Sequence, residues 1–239
     1  MATRPAFIPL CEGRAFVQTS YFDFEWHPGL APIQKQRNID ALHLEMSTHG
    51  GLSNILEISS KSRDEIGVAL SAFNLSFITQ TREIPLSVET AFQGSKVFER
   101  GGPFTDLYFV TAREAKRDPR LSSSGRLIGF KFFGTSWGLE PQTAFYDWLY
   151  LNTLIKNPQL AEQLLQFSAF TDIEFNPEKS INCQAYSAAL YVSLSSRGLL
   201  ERALSSKEEY LELMQSAAIS SSRVDELRQP TLRSWSAAK

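Results

Sequence analysis

Glu89, Gln93 and Lys96 stand at i, i+4 and i+7 in the segment Val88–Phe98, VETAFQGSKVF. At about 100° per residue those positions share one narrow stripe of a helix. Ser87 supports a helix there, because its hydroxyl can accept from the free N–H groups of a first turn. Val88, Ala91 and Phe98 fall on or near the opposite side, and Phe92 lies at the edge of the stripe. The pattern predicts a helix over about 87–99, stopped by Gly101-Gly102-Pro103. An acid, an amide and an amine on one line are suited to acid–base work in a pocket wall. They also suit an ordinary solvated helix face, and local spacing leaves both readings open.

A second polar cluster lies in 171-TDIEFNPEKSINCQAYSAALYVSL-194, with Asp172, Glu174, Asn176, Lys179, Asn182 and Gln184 in and just after a loop. Asn182 occupies an N-cap position, so a polar surface loop before a buried helix explains it equally well. A third feature is basic: Arg113, Lys116, Arg117, Arg120 and Arg126 are interrupted by only two acids, Glu114 and Asp118. Such a run is as readily a charged surface loop as a nucleic-acid contact.

The elements that must position these groups read as mixed α and β. Residues 15–26 alternate Phe22, Phe24 and Trp26 and predict a strand ended by His27-Pro28-Gly29. Ile33–Thr48 predicts a helix with Ile39, Leu42 and Met46 on one face. Strands are expected at Asn54–Ser59 and at Phe104–Val110 and Leu127–Phe133, the last two flanking the basic stretch. Pro141 suits the first turn of a helix carrying Phe145, Trp148, Leu149, Leu151 and Ile155. That helix is nearly apolar all round, so it belongs in the core. Asn157-Pro158 opens another helix, a core helix ends at Arg197-Gly198, and an amphipathic helix covers about 206–217. From Ile219 onward Ser, Arg and Ala dominate, and the segment 219–239 is expected to be a disordered tail after a single domain at 1–218.

Composition narrows the function. The 239 residues are 43% hydrophobic, with 17 Phe, enough for a well-filled core. With 24 basic and 26 acidic residues the net charge is -2, so global electrostatics does not mark a nucleic-acid or membrane binder. Cys11 and Cys183 make neither a disulfide framework nor a metal spacing, and the cytoplasm is the expected compartment. His27, His43 and His49 find no ligand set nearby and are read as structural or exposed. Neither a secretory signal, a membrane-length apolar run, a Gly-rich phosphate loop nor a G-x-S-x-G elbow appears. No metal and no cofactor is expected.

The motif Glu-x-x-Phe-Gln-x-x-Lys, here Glu89, Phe92, Gln93 and Lys96, resembles the signature of the NADAR family, whose fold is YbiA-like. The element Leu70-Ser71-Ala72-Phe73-Asn74 resembles the family's F-S-N-F element, which lies about eighteen residues upstream of the signature; Asp172, Asn182 and the helix Ala185–Leu194 fill its C-terminal positions. The chain lacks the family's W-G-x-G run and has Glu174-Phe175-Asn176-Pro177 instead. The stretches DFEWHPGLAPIQKQRNIDALH, AFQGSKVFERGGPFTDLY, AKRDPRL, LEPQTAFYDWLY and FNPEKSINCQA are most similar to the subfamily associated with DarT-type toxins, over roughly residues 5–205.

The resemblance implies an α+β, helix-dominated fold with small β elements. It also implies an antitoxin that removes ADP-ribose from guanine bases of DNA, reversing the toxin. Lys96, Glu89 and Asp172 would be catalytic, with Lys96 the amine that attacks the anomeric carbon. Phe92, Gln93, Asn182, Asn74, Lys61 and Ser62 would bind substrate, with Phe92 stacking on a ring. Lys116, Arg117 and Arg120 would contact the DNA, expected to be single-stranded, and ADP-ribose would be the product. Two other functions stand beside this one: an N-glycosidase acting on small phosphoribosylated metabolites, and a non-catalytic module that binds ADP-ribose or the toxin itself.

Overall fold

The computed structural model describes residues 1–79, 83–178 and 180–216. The expected tail 219–239 and Lys179 lie outside the described residues. In chain order the elements are β1 (Ala2–Pro9), β2 (Val17–Phe24), α1 (Pro32–Thr48), β3 (Ile55–Glu57), α2 (Glu65–Ala69), β4 (Ser76–Ile78), β5 (Pro85–Ser87) and α3 (Val88–Ser95). Then come β6 (Lys96–Phe98), a 3-10 helix (Thr105–Phe109), α4 (Ala112–Arg117), α5 (Arg120–Ser123), β7 (Leu127–Phe132) and β8 (Thr135–Trp137). The chain continues through α6 (Ala144–Leu154), α7 (Pro158–Leu164), β9 (Ala169–Thr171), α8 (Gln184–Ser196), α9 (Leu200–Ser205) and α10 (Lys207–Ser216). The fold is α+β, as the sequence predicts.

Three small sheets carry the strands. The largest has the order β2-β1-β9-β3, with β3 parallel to β9 and the other pairs antiparallel. A hairpin joins β4 to β5, and β6, β7 and β8 form a third, antiparallel sheet. Helices α6 and α8 run through the main core, where Phe145, Leu149, Tyr150, Leu151, Leu190 and Leu194 are almost wholly buried. This is the reason both helices read as apolar on nearly every face. A second cluster packs Ile39, Leu42 and Met46 of α1, the face expected from their spacing, onto Ala6, Phe24, Ala169 and Ile173.

Three of the expected elements depart from the sequence reading. The signature helix stops at Ser95, and Lys96–Phe98 pairs with β7 through Lys96↔Phe130 and Val97↔Gly129. Long-range pairing takes these residues out of the helix. The segment at Phe104–Val110 is a 3-10 turn packed on α3 and not a strand. Tyr108 of that turn donates or accepts a hydrogen bond at 3.0 Å with Ser95 at the end of α3. Finally α6 begins at Ala144, after Thr143 in a left-handed conformation at φ 66°, so Pro141 precedes the helix instead of opening it.

Asp147 of α6 is buried and accepts from Thr143 Oγ1 and Ser187 Oγ, both at 2.6 Å. Burial raises its carboxyl from the ordinary 3.8 to about 7. The folded protein therefore binds more protons than the unfolded chain between these values. The associated stability is complete below pH 3.8 and lost as pH rises through 7, on the order of 4 kcal/mol. Asp147→Asn is expected to remove this loss, raising the melting temperature at pH 8.5 while leaving it nearly unchanged at pH 4. Parallel melting curves for the two proteins across that range would contradict the assignment.

Candidate active site

Helix α3 is short and wholly buried, and it begins where Ser87 Oγ accepts from Thr90 N at 3.2 Å, the cap expected from sequence. One side of it faces a cavity of about 690 Å³, within the range of small-molecule sites. Glu89, Phe92, Gln93 and Lys96 line it from α3 and the turn into β6. Asp172, Glu174, Asn176, Asn182 and Gln184 line it from the segment between β9 and α8. Lys61 and Phe73 come from the loops around α2, and Arg113, Lys116 and Arg117 from α4. The two polar clusters seen in sequence, some eighty residues apart, thus meet across one space.

Lys96 reaches the cavity although it has left the helix, because the backbone turns sharply at φ -63°, ψ 132°. Gly102 holds that turn from behind: at φ +88° it packs so closely that an added Cβ would lie 2.2 Å from the Lys96 carbonyl oxygen. The Lys96 Nζ lies over the Phe92 ring, 4.7 Å from its centroid. Burial lowers the ammonium from 10.5 to about 8, against the opposing pull of the Glu89 carboxylate and with help from Lys116. Near neutral pH roughly one amine in ten is then unprotonated, against well under one in a thousand for a free lysine.

Gln93 donates through Nε2 to Glu89 Oε1 at 2.8 Å, which leaves its buried Oε1 with no partner. A carbonyl oxygen can only accept, so Gln93 is built to meet a hydroxyl or an N–H and not a phosphate oxygen. Asp172 accepts from Glu174 N at 3.0 Å. Its burial beside Glu57 raises its carboxyl far above the ordinary range. Tyr146 of α6 lines the same cavity, with its phenol kept neutral by burial within electrostatic reach of Glu89 and Asp172. Neither Tyr146, inside an apolar helix pattern, nor Glu57, in an ordinary strand pattern, stands out in the sequence.

Several sequence expectations are corrected by placement. Phe92 lines the cavity but is 5% exposed, packed among Phe130, Phe145 and Tyr146 with Lys96 Nζ over its ring, so little of its face is open to a substrate ring. Phe73, half-buried, is the most exposed of the aromatic side chains on the cavity wall, and Lys116 Nζ sits 5.2 Å from its centroid. Asn74 is exposed outside the cavity and donates to Val68 O at 2.9 Å. Ser62 lies behind α2 and accepts from Asp64 N at 3.2 Å. Asn182 faces the cavity but does not cap α8, whose N-cap is Cys183.

Arg120 is clamped by Asp106 at 2.6 Å and Asp118 at 2.9 Å, and Arg126 pairs with Glu99 at 3.2 Å. Neither lines the cavity. Lys61 lines the cavity and donates to Ser60 Oγ at 3.1 Å. Among the described residues no helix is long and apolar enough to cross a membrane.

A model of the DarT1-associated NADAR antitoxins matches residues 2–224 of the chain. No curated protein matches it.

Proposed function

The chain belongs to the DarT1-associated NADAR antitoxin family, and from that premise we propose that it is an N-glycosidase that releases ADP-ribose from guanine bases of DNA. The observation that carries this reading is the meeting of Lys96, Glu89, Gln93 and Asp172 at one cavity. The bond to be broken joins a guanine nitrogen to the anomeric carbon of the distal ribose. That carbon is at the aldehyde oxidation level, so an amine can hold it covalently.

In this scheme Glu89 takes the proton of the Lys96 ammonium, and the neutral amine attacks the anomeric carbon. The carbon–guanine bond breaks, and Asp172 gives its proton to the departing nitrogen. The sugar ring then opens, its ring oxygen taking a proton as the lysine nitrogen forms the imine. Water adds to the imine carbon and expels the amine, so the net change is hydrolysis. Gln93 Oε1 accepts from a ribose hydroxyl or a guanine N–H, and Tyr146 supplies a neutral donor to sugar oxygens.

Arg113, Lys116 and Arg117 give the cavity a cationic side suited to the diphosphate or to strand phosphates. The test is incubation of the purified protein with a guanine-ADP-ribosylated single-stranded oligonucleotide. Release of ADP-ribose and unmodified DNA is expected. Protection from the toxin without release would favour the binding module, and turnover only of phosphoribosylated small molecules the metabolite enzyme.

Arg117→Ala is expected to weaken activity on the oligonucleotide severalfold and to flatten the dependence of log affinity on log salt by about 0.7, the increment of one phosphate contact on a single strand. A modified mononucleoside should be processed nearly as before. Lys116→Ala should add a second effect, because Lys116 also lowers the Lys96 ammonium. Its removal raises that group, so the acid limb of the pH–rate profile moves to higher pH. Equal losses on both substrates for Arg117→Ala would place that residue in the chemistry or the fold.

A further inference from the structure

Glu57 ends β3 with its side chain 1% exposed and outside the cavity lining. It is nevertheless tied to both neighbours of Asp172. Thr171 Oγ1 donates to Glu57 Oε2 at 2.7 Å and Ile173 N donates to Glu57 Oε1 at 2.9 Å. The Ser59 hydroxyl adds a third hydrogen bond. The backbone makes the same junction, since Glu57 pairs with Thr171 in the parallel β3–β9 ladder and Ile58 N donates to Thr171 O at 2.8 Å.

These contacts fix the protons. Thr171 has one hydroxyl hydrogen and gives it to Glu57, so His43 Nε2, 2.8 Å from Thr171 Oγ1, must carry a hydrogen and donate it. His43 is buried and its protonation is disfavoured, falling from 6.5 to about 4, which keeps it the neutral donor. Burial raises the Glu57 carboxyl as well, but its three donors oppose that rise and favour its ionised form over that of Asp172. Asp172 has fewer donors, Glu174 N and the Gln184 amide, and two buried carboxylates this close cannot both ionise.

The other groups facing Asp172 are Arg4 from β1, Glu174 on its own segment, Tyr146 and Tyr150 from α6 and Cys183 before α8. Arg4 is the cation among them and is shared with Glu174 and Glu178, while Glu174 is paired with Lys35 at 3.0 Å.

We propose that Glu57 is a positioning residue for Asp172: a fixed negative charge, held through Thr171 and Ile173, that keeps on Asp172 the proton which the departing base takes. This rests on the role given to Asp172 above. No atom of Glu57 meets the substrate, and its carboxylate is unchanged through the cycle.

The test compares pH–rate profiles on two substrates, guanine-ADP-ribosylated oligonucleotide and a nitrophenyl ADP-riboside whose phenolate leaves without a proton. Glu57→Gln is expected to move the alkaline limb on the guanine substrate at least one unit lower and to cut its rate at pH 8 at least about fivefold. The nitrophenyl substrate should change less than threefold. Glu57→Asp, which keeps the charge, should restore most of the limb. Thr171→Val, which removes one donor to Glu57, should shift the limb the same way by less, and it serves if Glu57→Gln does not fold.

Carbon-13 NMR of the Asp172 carboxyl gives a reading independent of turnover. Asp172 should be mostly protonated at pH 7 in the native protein and at least half ionised in the variant, even if the native protein releases nothing from guanine-modified DNA. An ionised native Asp172, or equal losses on both substrates with an unmoved limb, overturns the proposal.

Discussion

Lys96→Arg is expected to lower turnover by on the order of 10³-fold or more while leaving the fold and substrate binding intact. Arginine keeps the charge over Phe92 but stays protonated and cannot form an imine. In the native protein, borohydride added during turnover should reduce the imine and leave ADP-ribose on the peptide containing Lys96. The pH dependence follows from the same group. The reactive form is the neutral amine, so on the nitrophenyl ADP-riboside, which needs no proton from Asp172, kcat/KM should rise with pH through about 8, the value to which burial brings Lys96. Glu89 opposes that lowering, so Glu89→Gln should move the acid limb to lower pH even as the rate falls for want of a base. Substantial turnover by Lys96→Arg would mean that water attacks directly, with Glu89 or Asp172 as general base.

What the sequence revealed of this site depended on how local each determinant is. The Ser87 cap and the buried face of α1 are settled within one or two turns, and spacing finds them. The end of α3 is not: Lys96 looks helical until β7, some thirty residues on, pairs with it. Phe104–Val110 has strand composition, but its Tyr108 is drawn onto the end of α3 by the hydrogen bond with Ser95, a contact composition does not show. Strand β1 escaped notice because Pro5 and Pro9 interrupt its pattern. The sheet tolerates them because β1 meets β9 at a single register pair, Phe7↔Phe170, so few of its N–H groups are needed on that side. The basic stretch divides by partners invisible in one dimension, since Asp106 and Glu99 take Arg120 and Arg126 and leave Arg113, Lys116 and Arg117 on the cavity wall. Glu57 was illegible for the same reason: its meaning lies in Thr171 and Ile173, well over a hundred residues downstream.

Asp172→Asn is the sharpest test of how the leaving base is expelled. Asparagine fills nearly the same space and can still accept from Glu174 N, so the segment before α8 should keep its shape. It has no acidic proton to give. Guanine is a poor leaving group as an anion, and loss of a positioned general acid typically costs about 10²–10⁴-fold. That loss is expected on guanine-ADP-ribosylated DNA. On the nitrophenyl ADP-riboside, whose leaving phenolate needs no proton, the variant should recover to within about tenfold of the native protein. The variant should also lose the alkaline limb on DNA, because the group whose ionisation produced it is gone. Should the deficit be the same on both substrates, Asp172 would instead orient the ribose. The proton for the base would then have to come from Tyr146 or water, and the link from Glu57 through Asp172 to the chemistry would lose its purpose.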